Sequence, residues 1–390
     1  MKKIGVLLSA SPGGGAFQYT QAMLNAVLAF PPGFSITAAV GDPLWLDVLP
    51  ERVKIVRIVD TPFTRALNKL WHLSRLPQSL WRHTAAKLDT NVRTLQAAGC
   101  ELWICPNHDR FVFRAPVPTL GTVHDLMHRY EPQFPEVSDN GEFEAREFHF
   151  GETSRWARGV LVDSEVGRMQ LMESYGVPAG RVFVLPYIPP AYVYTSDPSR
   201  DSEIIERYKL PKKFFFYPAQ FYRHKNHVAL IDALARLKAA HPDAHLVLVG
   251  TTERNGFADV QAQVRRLGLE DNVQFLGYVP DNEMPALYRA ARALVMPTYF
   301  GPTNIPQLEA FALGCPVATS RIYGIPDQVG DAALLFDPKS VDEILSCLRR
   351  LWEDDALCSL LVEKGKQHAS AWGPSQFRDR LVTIVEELTA

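Results

Sequence analysis

Residues 296–320 read MPTYFGPTNIPQLEAFALGCPVATS. The apolar run 293–296 predicts a buried strand, after which Gly301 lies in a loop. Pro306 suits the first turn of a following helix, because its fixed φ is already helical and the N–H that it lacks would be unpaired there. The stretch therefore predicts a strand, a glycine-containing loop and a helix in succession.

The far end of this helix is also marked. Gly314 stops the helix, Pro316 prevents a restart, and Val317 begins another strand. Thr303 or Asn304 is expected to cap the N–H groups at the helix start. Such a helix points its N-terminus out of the carboxyl edge of a parallel sheet, where it favours a phosphate or another anion. Many α/β domains leave that edge empty, so a binding site and a bare edge are equal alternatives.

Length and composition describe an ordinary globular protein of more than one domain. The chain has 390 residues, of which 47% are hydrophobic and 22% are charged, and this fits two domains with ample core. A net charge of −2 argues against a nucleic-acid partner. The five cysteines form no C-x-x-C pair, and no apolar stretch has the length of a signal peptide or a membrane span. We expect a soluble, cytoplasmic protein with reduced, buried thiols.

Two series of short apolar runs alternate with helical patterns and predict two parallel, doubly wound sheets. The first series comprises residues 3–10, 35–40, 53–58, 102–105, 119–123, 159–162 and 182–185. The second comprises residues 214–218, 245–250, 273–276, 293–296, 317–319 and 333–336. Between them, residues 186–201 hold four prolines without a helical pattern and are expected to be a hinge. The prediction is two stacked α/β domains with a cleft between them.

The first strand of the chain is followed by a glycine-rich loop at residues 11–15 and then by a helix over residues 18–30. The loop lacks the G-x-G-x-x-G spacing, so a dinucleotide site is not expected. Gly14 and Gly15 either let the backbone approach a bound ligand closely or make a plain tight turn. The residues favour neither alternative.

The stretch FGPTNIPQLEAFALGCPV resembles the signature of the retaining nucleotide-sugar glycosyltransferases of the GT-B fold, family four, also called glycosyl transferases group 1. In that family, two glutamates stand eight residues apart around a glycine-rich turn. Glu309 matches the second, which implies that it holds the ribose hydroxyls, whereas Gly301 occupies the position of the first. Pro302 has no N–H, so the resemblance leaves the diphosphate contacts to three backbone amides, those of Thr303, Asn304 and Ile305.

A second segment, AQFYRHKN, resembles the phosphate-gripping loop of the same family. Lys225 matches the lysine that faces the donor diphosphate. The family's upstream arginine has no clear match here, and Arg223, the candidate for its role in donor binding, is displaced toward the helix. The alternative is an exposed basic loop. Gly250 and Val279 fall at positions near the nucleobase, and nothing in them separates uracil from guanine.

A third segment, GTVHDL, is similar to a motif of the same family in which the histidine lies beside the donor sugar. His124 is accordingly expected to be a cleft residue, while Asp125 braces its loop. Asp163 and Ser164 resemble a family segment at the end of another strand, although they also fit a plain helix cap.

Two stretches are candidates for contact with the acceptor. Residues 65–93 carry six basic side chains against one acidic side chain, interleaved with Trp71 and Trp81. They suit either a helix on an anionic bilayer or a solvated face with tryptophans packed inward. Residues 130–150 are rich in acidic and aromatic side chains and are expected to form a mobile loop over the acceptor.

The resemblance implies the fold class and the domain limits. The fold class is α/β GT-B, with two Rossmann-like doubly wound domains, an interdomain cleft and a C-terminal helix that crosses back to the first domain. The expected acceptor-side domain covers residues 1–190, the donor domain covers 202–370, and the closing helix lies in 371–390. Its apolar stripe is expected to comprise four side chains, those of Trp372, Phe377, Leu381 and Val385.

The implied activity is transfer of a sugar from a nucleoside diphosphate donor, GDP-mannose-like or a UDP-sugar, to a hydroxyl of a glycan or lipid-linked acceptor, with retention. Catalytic roles fall to His124, Lys225 and Glu309. Neither a cofactor nor a metal is expected, since lysine and the helix dipole neutralise the diphosphate. Bacterial surface polysaccharide synthesis is the expected process, with peripheral contact at the inner membrane. The alternatives are a non-catalytic glycosyltransferase-like binding subunit and a nucleotide-sugar epimerase or phosphorylase of this double fold.

Overall fold

The structure is a computed structural model that describes residues 1–11, 13–74, 77–253 and 256–390, without the side chains of residues 72–74. The strands in these ranges are β1 Lys2–Leu8, β2 Phe34–Val40, β3 Lys54–Arg57, β4 Leu102–Ile104, β5 Thr119–Thr122, β6 Gly159–Val162, β7 Val182–Val184, β8 Phe215–Pro218, β9 Leu246–Val249, β10 Val273–Phe275, β11 Ala293–Met296, β12 Val317–Ser320 and β13 Ala333–Phe336.

The α-helices in the same ranges are α1 Gly14–Leu28, α2 Pro62–Ser74, α3 Gln78–Leu88, α4 Thr90–Ala98, α5 Phe111–Arg114, α6 Met127–Tyr130, α7 Pro135–Ser138, α8 Glu142–Trp156, α9 Glu165–Tyr175, α10 Ala191–Thr195, α11 Asp201–Arg207, α12 His227–Lys238, α13 Gly256–Arg266, α14 Met284–Ala290, α15 Pro306–Leu313, α16 Ile325–Val329, α17 Val341–Glu353, α18 Asp355–Ala371 and α19 Pro374–Leu388. Short 3-10 turns connect several of them.

The strands form two parallel sheets, as the two series of apolar runs predicted. The first sheet has the order β3-β2-β1-β4-β5-β6-β7, and the second has the order β10-β9-β8-β11-β12-β13. Each sheet is built outward from its first strand in both directions, which is the doubly wound arrangement. Ligands in such sheets bind at the carboxyl ends of the strands where the order reverses, here between β1 and β4 and between β8 and β11.

The chain divides into two compact units. Unit 1 comprises Met1–Leu126, Glu144–Tyr187 and Pro374–Ala390, and unit 2 comprises Met127–Phe143 and Ile188–Gly373. This division differs from the expected limit at residue 190, because Met127–Phe143 groups with unit 2. The contacts explain it, since Glu131 accepts a hydrogen bond from the Tyr323 hydroxyl and the Phe134 ring stacks on Tyr299 at 5.3 Å.

The helix that closes the chain belongs to unit 1. The side chains of Phe377, Leu381 and Val385 in α19 are fully buried, and the Phe377 ring meets the edge of Tyr19 at 6.4 Å. Trp372, the fourth member of the expected stripe, precedes the helix as the C-cap of α18. The C-terminal helix that crosses back to the first unit is therefore confirmed.

Two expectations about irregular segments are wrong. Residues 130–150 are largely helical, in α7 and α8, rather than a loop. The aromatic residues of α8 lie on both buried and exposed faces, with Phe150 1% exposed and Phe148 41% exposed, and this blurs the periodic signal. Residues 186–201 contain α10 and a 3-10 turn, because prolines precede these helical turns instead of interrupting them. The boundary between Tyr187 and Ile188 lies in this segment, and its role as a hinge stays a prediction.

The remaining sequence-wide expectations concern thiols and membranes. All five cysteines are free and buried. Within the described ranges, every helix is too short or too polar to cross a bilayer. The helix after the glycine-rich stretch begins earlier than expected, since α1 starts at Gly14.

Replacing Phe377 by alanine tests the contribution of α19 to unit 1. We expect Phe377→Ala to lower the free energy of unfolding by about 3–5 kcal/mol, because the ring is fully buried. Denaturant titration measures this change. Glu387→Ala, on the exposed face of the same helix, is the control and should stay within about 0.5 kcal/mol of the parent. Equal stability of the two variants would contradict the packing described here.

Candidate nucleotide-sugar site

The two loops at the switch point of unit 2 are joined to each other. The backbone N–H of Tyr299, after β11, donates to the carbonyl of His224, after β8, at 2.8 Å. The Phe300 ring stacks on the His224 ring, with centroids 3.9 Å apart and planes 13° apart. The loop that carries Lys225 and the loop that carries Gly301 consequently meet at the same edge of the sheet.

The backbone at Lys225 is held from both sides. Its N–H donates to the Tyr222 carbonyl at 3.0 Å, and its carbonyl accepts from the buried Tyr217 hydroxyl at 2.9 Å. The next residue, Asn226, has a φ of +58° and donates from its side chain to the Pro338 carbonyl at 2.8 Å. The lysine side chain itself is half-buried. Its stem is thus anchored at a fixed point of the edge, from which a long cationic side chain extends.

Arg223, two residues earlier, makes different contacts. Its guanidinium is exposed and lies 3.4 Å from Asp259, while its backbone N–H donates to Glu136. Burial raises the pKa of Glu136, but hydrogen bonds from His224 and from the Arg223 amide outweigh this and lower it overall. The Glu136 carboxylate is therefore an anion already seated beside this loop. The role of Arg223 toward a donor stays a prediction.

Gly301 occupies the position of the family's first glutamate for a steric reason. Its φ is +98°, and a Cβ added there would lie 2.8 Å from the Thr303 carbonyl oxygen and 3.0 Å from Asn304 Nδ2. The Asn304 side chain in turn donates to the Phe300 carbonyl at 3.2 Å. The loop closes on itself over this point, so it has room for glycine and none for a glutamate.

The expected caps of α15 are wrong, because no side chain caps this helix. Its N-cap is Ile305, and the Asn304 side chain is turned back toward Phe300 instead. The Asn304 backbone N–H donates to Gln328 Oε1 at 3.0 Å, and Gln328 Nε2 donates to the Asn304 carbonyl at 2.7 Å. A phosphate at this amide would share or displace Gln328, a residue that sequence reasoning did not identify. The amides of Thr303 and Ile305 flank it in the same loop.

Glu309 lies inside unit 2, on α15, and is 5% exposed. One of its carboxylate oxygens accepts a hydrogen bond from the Tyr192 hydroxyl and the other accepts one from the Tyr288 hydroxyl. Burial raises the pKa of Glu309 and the negative charge of Asp281 adds to this, whereas the two hydroxyls lower it. The expected ribose-binding residue is therefore held by two tyrosines that sequence reasoning missed.

The two residues expected near the nucleobase lie at the same edge of the sheet. Gly250 follows β9 and donates its N–H to the Gly277 carbonyl at 2.9 Å. A Cβ at Gly250 would lie 2.5 Å from the Ala219 carbonyl oxygen, so glycine allows the loop after β8 to pass closely. The side chain of Val279 is 3% exposed and belongs to the core, which leaves only its backbone for a ligand.

In unit 1, His124 follows β5 at the carboxyl edge of the first sheet. Its Nδ1 lies 2.9 Å from the Tyr187 hydroxyl oxygen, and the His108 ring lies 5.3 Å away. Burial lowers the pKa of His124 to about 4, although the charge of Asp125 opposes the shift. The imidazole is consequently neutral at pH 7. Asp125 pairs with Arg146 at 2.8 Å, as expected of a residue that braces the loop.

Unit 1 contains three other features that the sequence analysis singled out: the first glycine-rich loop, a helix cap and two tryptophans. Gly14 has a φ of +76°, and Cβ atoms added at Gly14 or Gly15 would meet nothing within 4 Å, so this backbone is open on one side. The Ser164 hydroxyl accepts from the Gly167 N–H at 3.0 Å, which supports the plain helix cap. Trp71 and Trp81 stack on each other and are 7% and 4% exposed, which supports inward packing.

Part of the chain matches a known protein family. Residues 200–368 match the family described as glycosyl transferases group 1. The O-antigen chain mannosyltransferase B of Escherichia coli is 26% identical over 257 residues, which are 63% of this chain and 67% of that relative.

Solved structures share the fold over nearly the whole chain. Anabaena HepE in complex with UDP and glucose has a TM-score of 0.72 at 19% identity and covers 99% of this chain and 100% of that one. Sucrose-phosphate synthase of Thermosynechococcus elongatus has a TM-score of 0.74 at 20% identity and covers 100% and 99%, respectively. Because the sequence identity is low, these structural similarities establish the fold alone.

The two doubly wound units, the joined loops of unit 2 and the family match define a glycosyltransferase of the GT-B fold. The match over residues 200–368 agrees with the resemblance of the signature stretch to the glycosyl transferases group 1.

Substitutions at Gly301 test the steric account of the signature loop. We expect Gly301→Ala to lower stability by about 2–4 kcal/mol, since it adds a close contact to the strain of a positive φ. Gly268→Ala is the matched control, because Gly268 has a φ of +60° and open space around its Cβ position. It should lose only about 1–2 kcal/mol. Thermal denaturation compares them, and equal losses would contradict the crowding at Gly301.

Proposed function

We propose that the protein transfers a sugar, with retention of anomeric configuration, from a nucleoside diphosphate donor to a hydroxyl of a glycan or lipid-linked acceptor. The observation that carries the proposal is the meeting of the Lys225 loop and the loop before α15 at the switch point of unit 2. The solved HepE complex, which holds UDP and glucose, supports a nucleotide-sugar donor. The O-antigen relative supports a GDP-mannose-like donor and surface polysaccharide synthesis, with a UDP-sugar as the alternative donor.

The proposed mechanism is front-face substitution, in which the leaving diphosphate accepts the proton of the acceptor hydroxyl. The C–O bond to the diphosphate breaks as the acceptor oxygen bonds to the same face of the anomeric carbon. Negative charge grows on the diphosphate, and the Lys225 ammonium, the loop amides and the N-terminus of α15 stabilise it. Because these groups supply the positive charge, we propose a reaction without a metal or cofactor.

The other candidate residues position the donor. The Glu309 carboxylate accepts hydrogen bonds from the ribose hydroxyls. His124, which is neutral at pH 7, contacts the sugar without adding charge. A two-step retaining reaction would need a carboxylate nucleophile beside the anomeric carbon. The family's first glutamate is absent at Gly301, and this favours the one-step mechanism.

The same glycine supports the rival reading of a non-catalytic, glycosyltransferase-like binding subunit. A loop that cannot hold the first glutamate lacks one of the family's contacts to the donor sugar. A nucleotide-binding subunit would bind UDP or GDP without turning over either sugar donor. An epimerase or phosphorylase would act without a separate acceptor, so product analysis with and without added glycan separates all three.

Replacing Lys225 tests the proposed charge stabilisation. We expect Lys225→Ala to lower sugar transfer or donor hydrolysis by at least about 100-fold, because its ammonium faces the charge that grows in the transition state. The assay measures nucleoside diphosphate release from a panel of UDP- and GDP-sugars. Lys212→Ala, at an exposed lysine of the same unit, is the control and should keep parental activity. Undiminished turnover by Lys225→Ala would refute the role of this lysine.

We further propose peripheral contact with the anionic inner leaflet of the membrane through α2. Its exposed face carries Phe63 and Leu70, which are 57% and 63% exposed, beside the exposed basic residues Arg65 and Lys69. Apolar side chains flanked by cations suit the interface of an anionic bilayer. Arg75 and Leu76, which belong to the same basic stretch, lie outside the described residues.

Vesicle sedimentation tests this contact. We expect the double variant Phe63→Ser/Leu70→Ser to bind vesicles of phosphatidylglycerol and phosphatidylethanolamine at least about tenfold more weakly, because two apolar side chains no longer enter the interface. Leu360→Ser is the control, since Leu360 is 47% exposed in unit 2. Unchanged sedimentation of the double variant would exclude α2 as the contact.

A further inference from the structure

Three helices of unit 2 bring one carboxylate and two phenol groups together. Glu309 comes from α15, Tyr192 from α10 and Tyr288 from α14. Each tyrosine hydroxyl donates to a different oxygen of the same carboxylate. The match of one hydroxyl to one oxygen fixes both the position of the carboxylate and its rotation about the bond to Cγ.

The two tyrosines differ in how they are held. Tyr288 is completely buried, and its ring meets the edge of Phe216 at 5.0 Å and 89°. Tyr192 is half-buried and lies on the short helix α10, just after the chain returns to unit 2 at Ile188. Tyr288 thus contacts the carboxylate from the buried side, and Tyr192 contacts it from the more accessible side.

An ionised carboxylate offers about four acceptor positions, two on each oxygen. With one position on each oxygen taken by a tyrosine, one position on each remains. The 2′- and 3′-hydroxyls of a ribose are vicinal donors that a carboxylate in a fixed orientation can accept as a pair. A carboxylate free to rotate, or protonated, would lose part of this interaction.

We propose that Tyr192 and Tyr288 are positioning residues that hold the Glu309 carboxylate to accept the ribose hydroxyls of the donor, and that they thereby select ribonucleoside over 2′-deoxyribonucleoside diphosphates. This inference rests on the proposed function, which assigns the ribose to Glu309. Neither tyrosine needs to touch the donor.

The two tyrosine hydroxyls also affect the pKa of Glu309. Burial and the charge of Asp281 both raise the pKa of Glu309, whereas the hydrogen bonds from Tyr192 and Tyr288 lower it. Cys315 is also a titratable neighbour, and its charge would raise the pKa of Tyr288. Burial raises the pKa of the Cys315 thiol to about 12, so this thiol is neutral at pH 7. Removing a hydroxyl removes a bond to the ionised form, and the pKa of Glu309 then rises. The carboxylate should then be protonated at a higher pH than in the parent protein.

The experiment is calorimetric titration of the full chain with UDP, GDP and their 2′-deoxy counterparts. For the base that binds, we expect the parent protein to bind the ribonucleotide at least about tenfold more tightly than the deoxynucleotide. Tyr192→Phe and Tyr288→Phe each keep the ring and remove the hydroxyl. Both should lower affinity for the ribonucleotide toward that for the deoxynucleotide, while affinity for the deoxynucleotide, which keeps only the 3′-hydroxyl, should fall by a smaller factor.

Tyr208→Phe is the matched control. The Tyr208 hydroxyl donates to Glu283 Oε2 at 2.6 Å, so this variant removes a tyrosine–glutamate hydrogen bond of the same unit away from Glu309. Its preference for the ribonucleotide should equal that of the parent. A purely structural lesion would instead weaken the binding of both nucleotides by the same factor.

The pH dependence supplies an independent readout. The ribonucleotide preference requires ionised Glu309, so it is present above the pKa of that group and disappears below it. Because loss of a hydroxyl raises this pKa, the preference should disappear at a higher pH in Tyr192→Phe and Tyr288→Phe than in the parent. An unchanged preference with an unchanged pH profile in both variants would overturn the positioning role.

Glu309→Gln separates this inference from the function on which it rests. If that variant loses the ribonucleotide preference while both phenylalanine variants keep it, Glu309 holds the ribose without the tyrosines. If Glu309→Gln keeps the preference, the ribose is not held by Glu309 at all, and the donor-site assignment fails. Loss of the preference in all three variants, with Tyr208→Phe unaffected, supports the proposal.

Discussion

The hydrogen bond from the Tyr299 amide to the His224 carbonyl, together with the stacking of Phe300 on His224, joins the two loops of the candidate donor site. It joins two loops that leave neighbouring parallel strands in the middle of the second sheet. One loop carries a lysine, and the other leads into a helix whose N-terminus is positive. A parallel sheet places such loops at one edge, and this local contact keeps them side by side.

Close backbone contact around this edge accounts for the departure from the family signature. At Gly250, the loop after β8 passes so near that only a residue without a Cβ fits, and at Gly301 the loop before α15 turns back on itself. A glutamate at residue 301 is therefore incompatible with the local backbone. In the proposed mechanism, electrostatic stabilisation of the donor falls instead to Lys225, the amides of the loop and the helix dipole, and no protein nucleophile is needed.

Much of the fold was predictable because buried parallel strands are continuous apolar runs bounded by turn residues. Every predicted run became a strand, and Gly314 ends α15 with a φ of +73°, as its position after the apolar helix indicated. The segment Met127–Phe143 escaped prediction, because its place in unit 2 depends on contacts with residues far along the chain, such as Tyr323.

The candidate site was predictable where a motif carries it and unpredictable where tertiary contacts complete it. Gln328 reaches the Asn304 amide from 24 residues away, and Tyr192 reaches Glu309 from 117 residues away. Neither distance leaves a periodic trace in the sequence. These long-range partners decide which amides and oxygens are available, so the motif identifies the residues and the folded unit sets their chemistry.

The central claim is that unit 2 binds a nucleoside diphosphate at the joined loops. Diffraction from crystals of the full chain grown with UDP or GDP, whichever binds, tests this most directly. The account predicts diphosphate density between Lys225 Nζ and the amides of residues 303–305, with the ribose against Glu309. A nucleotide bound elsewhere, with these groups untouched, would contradict it.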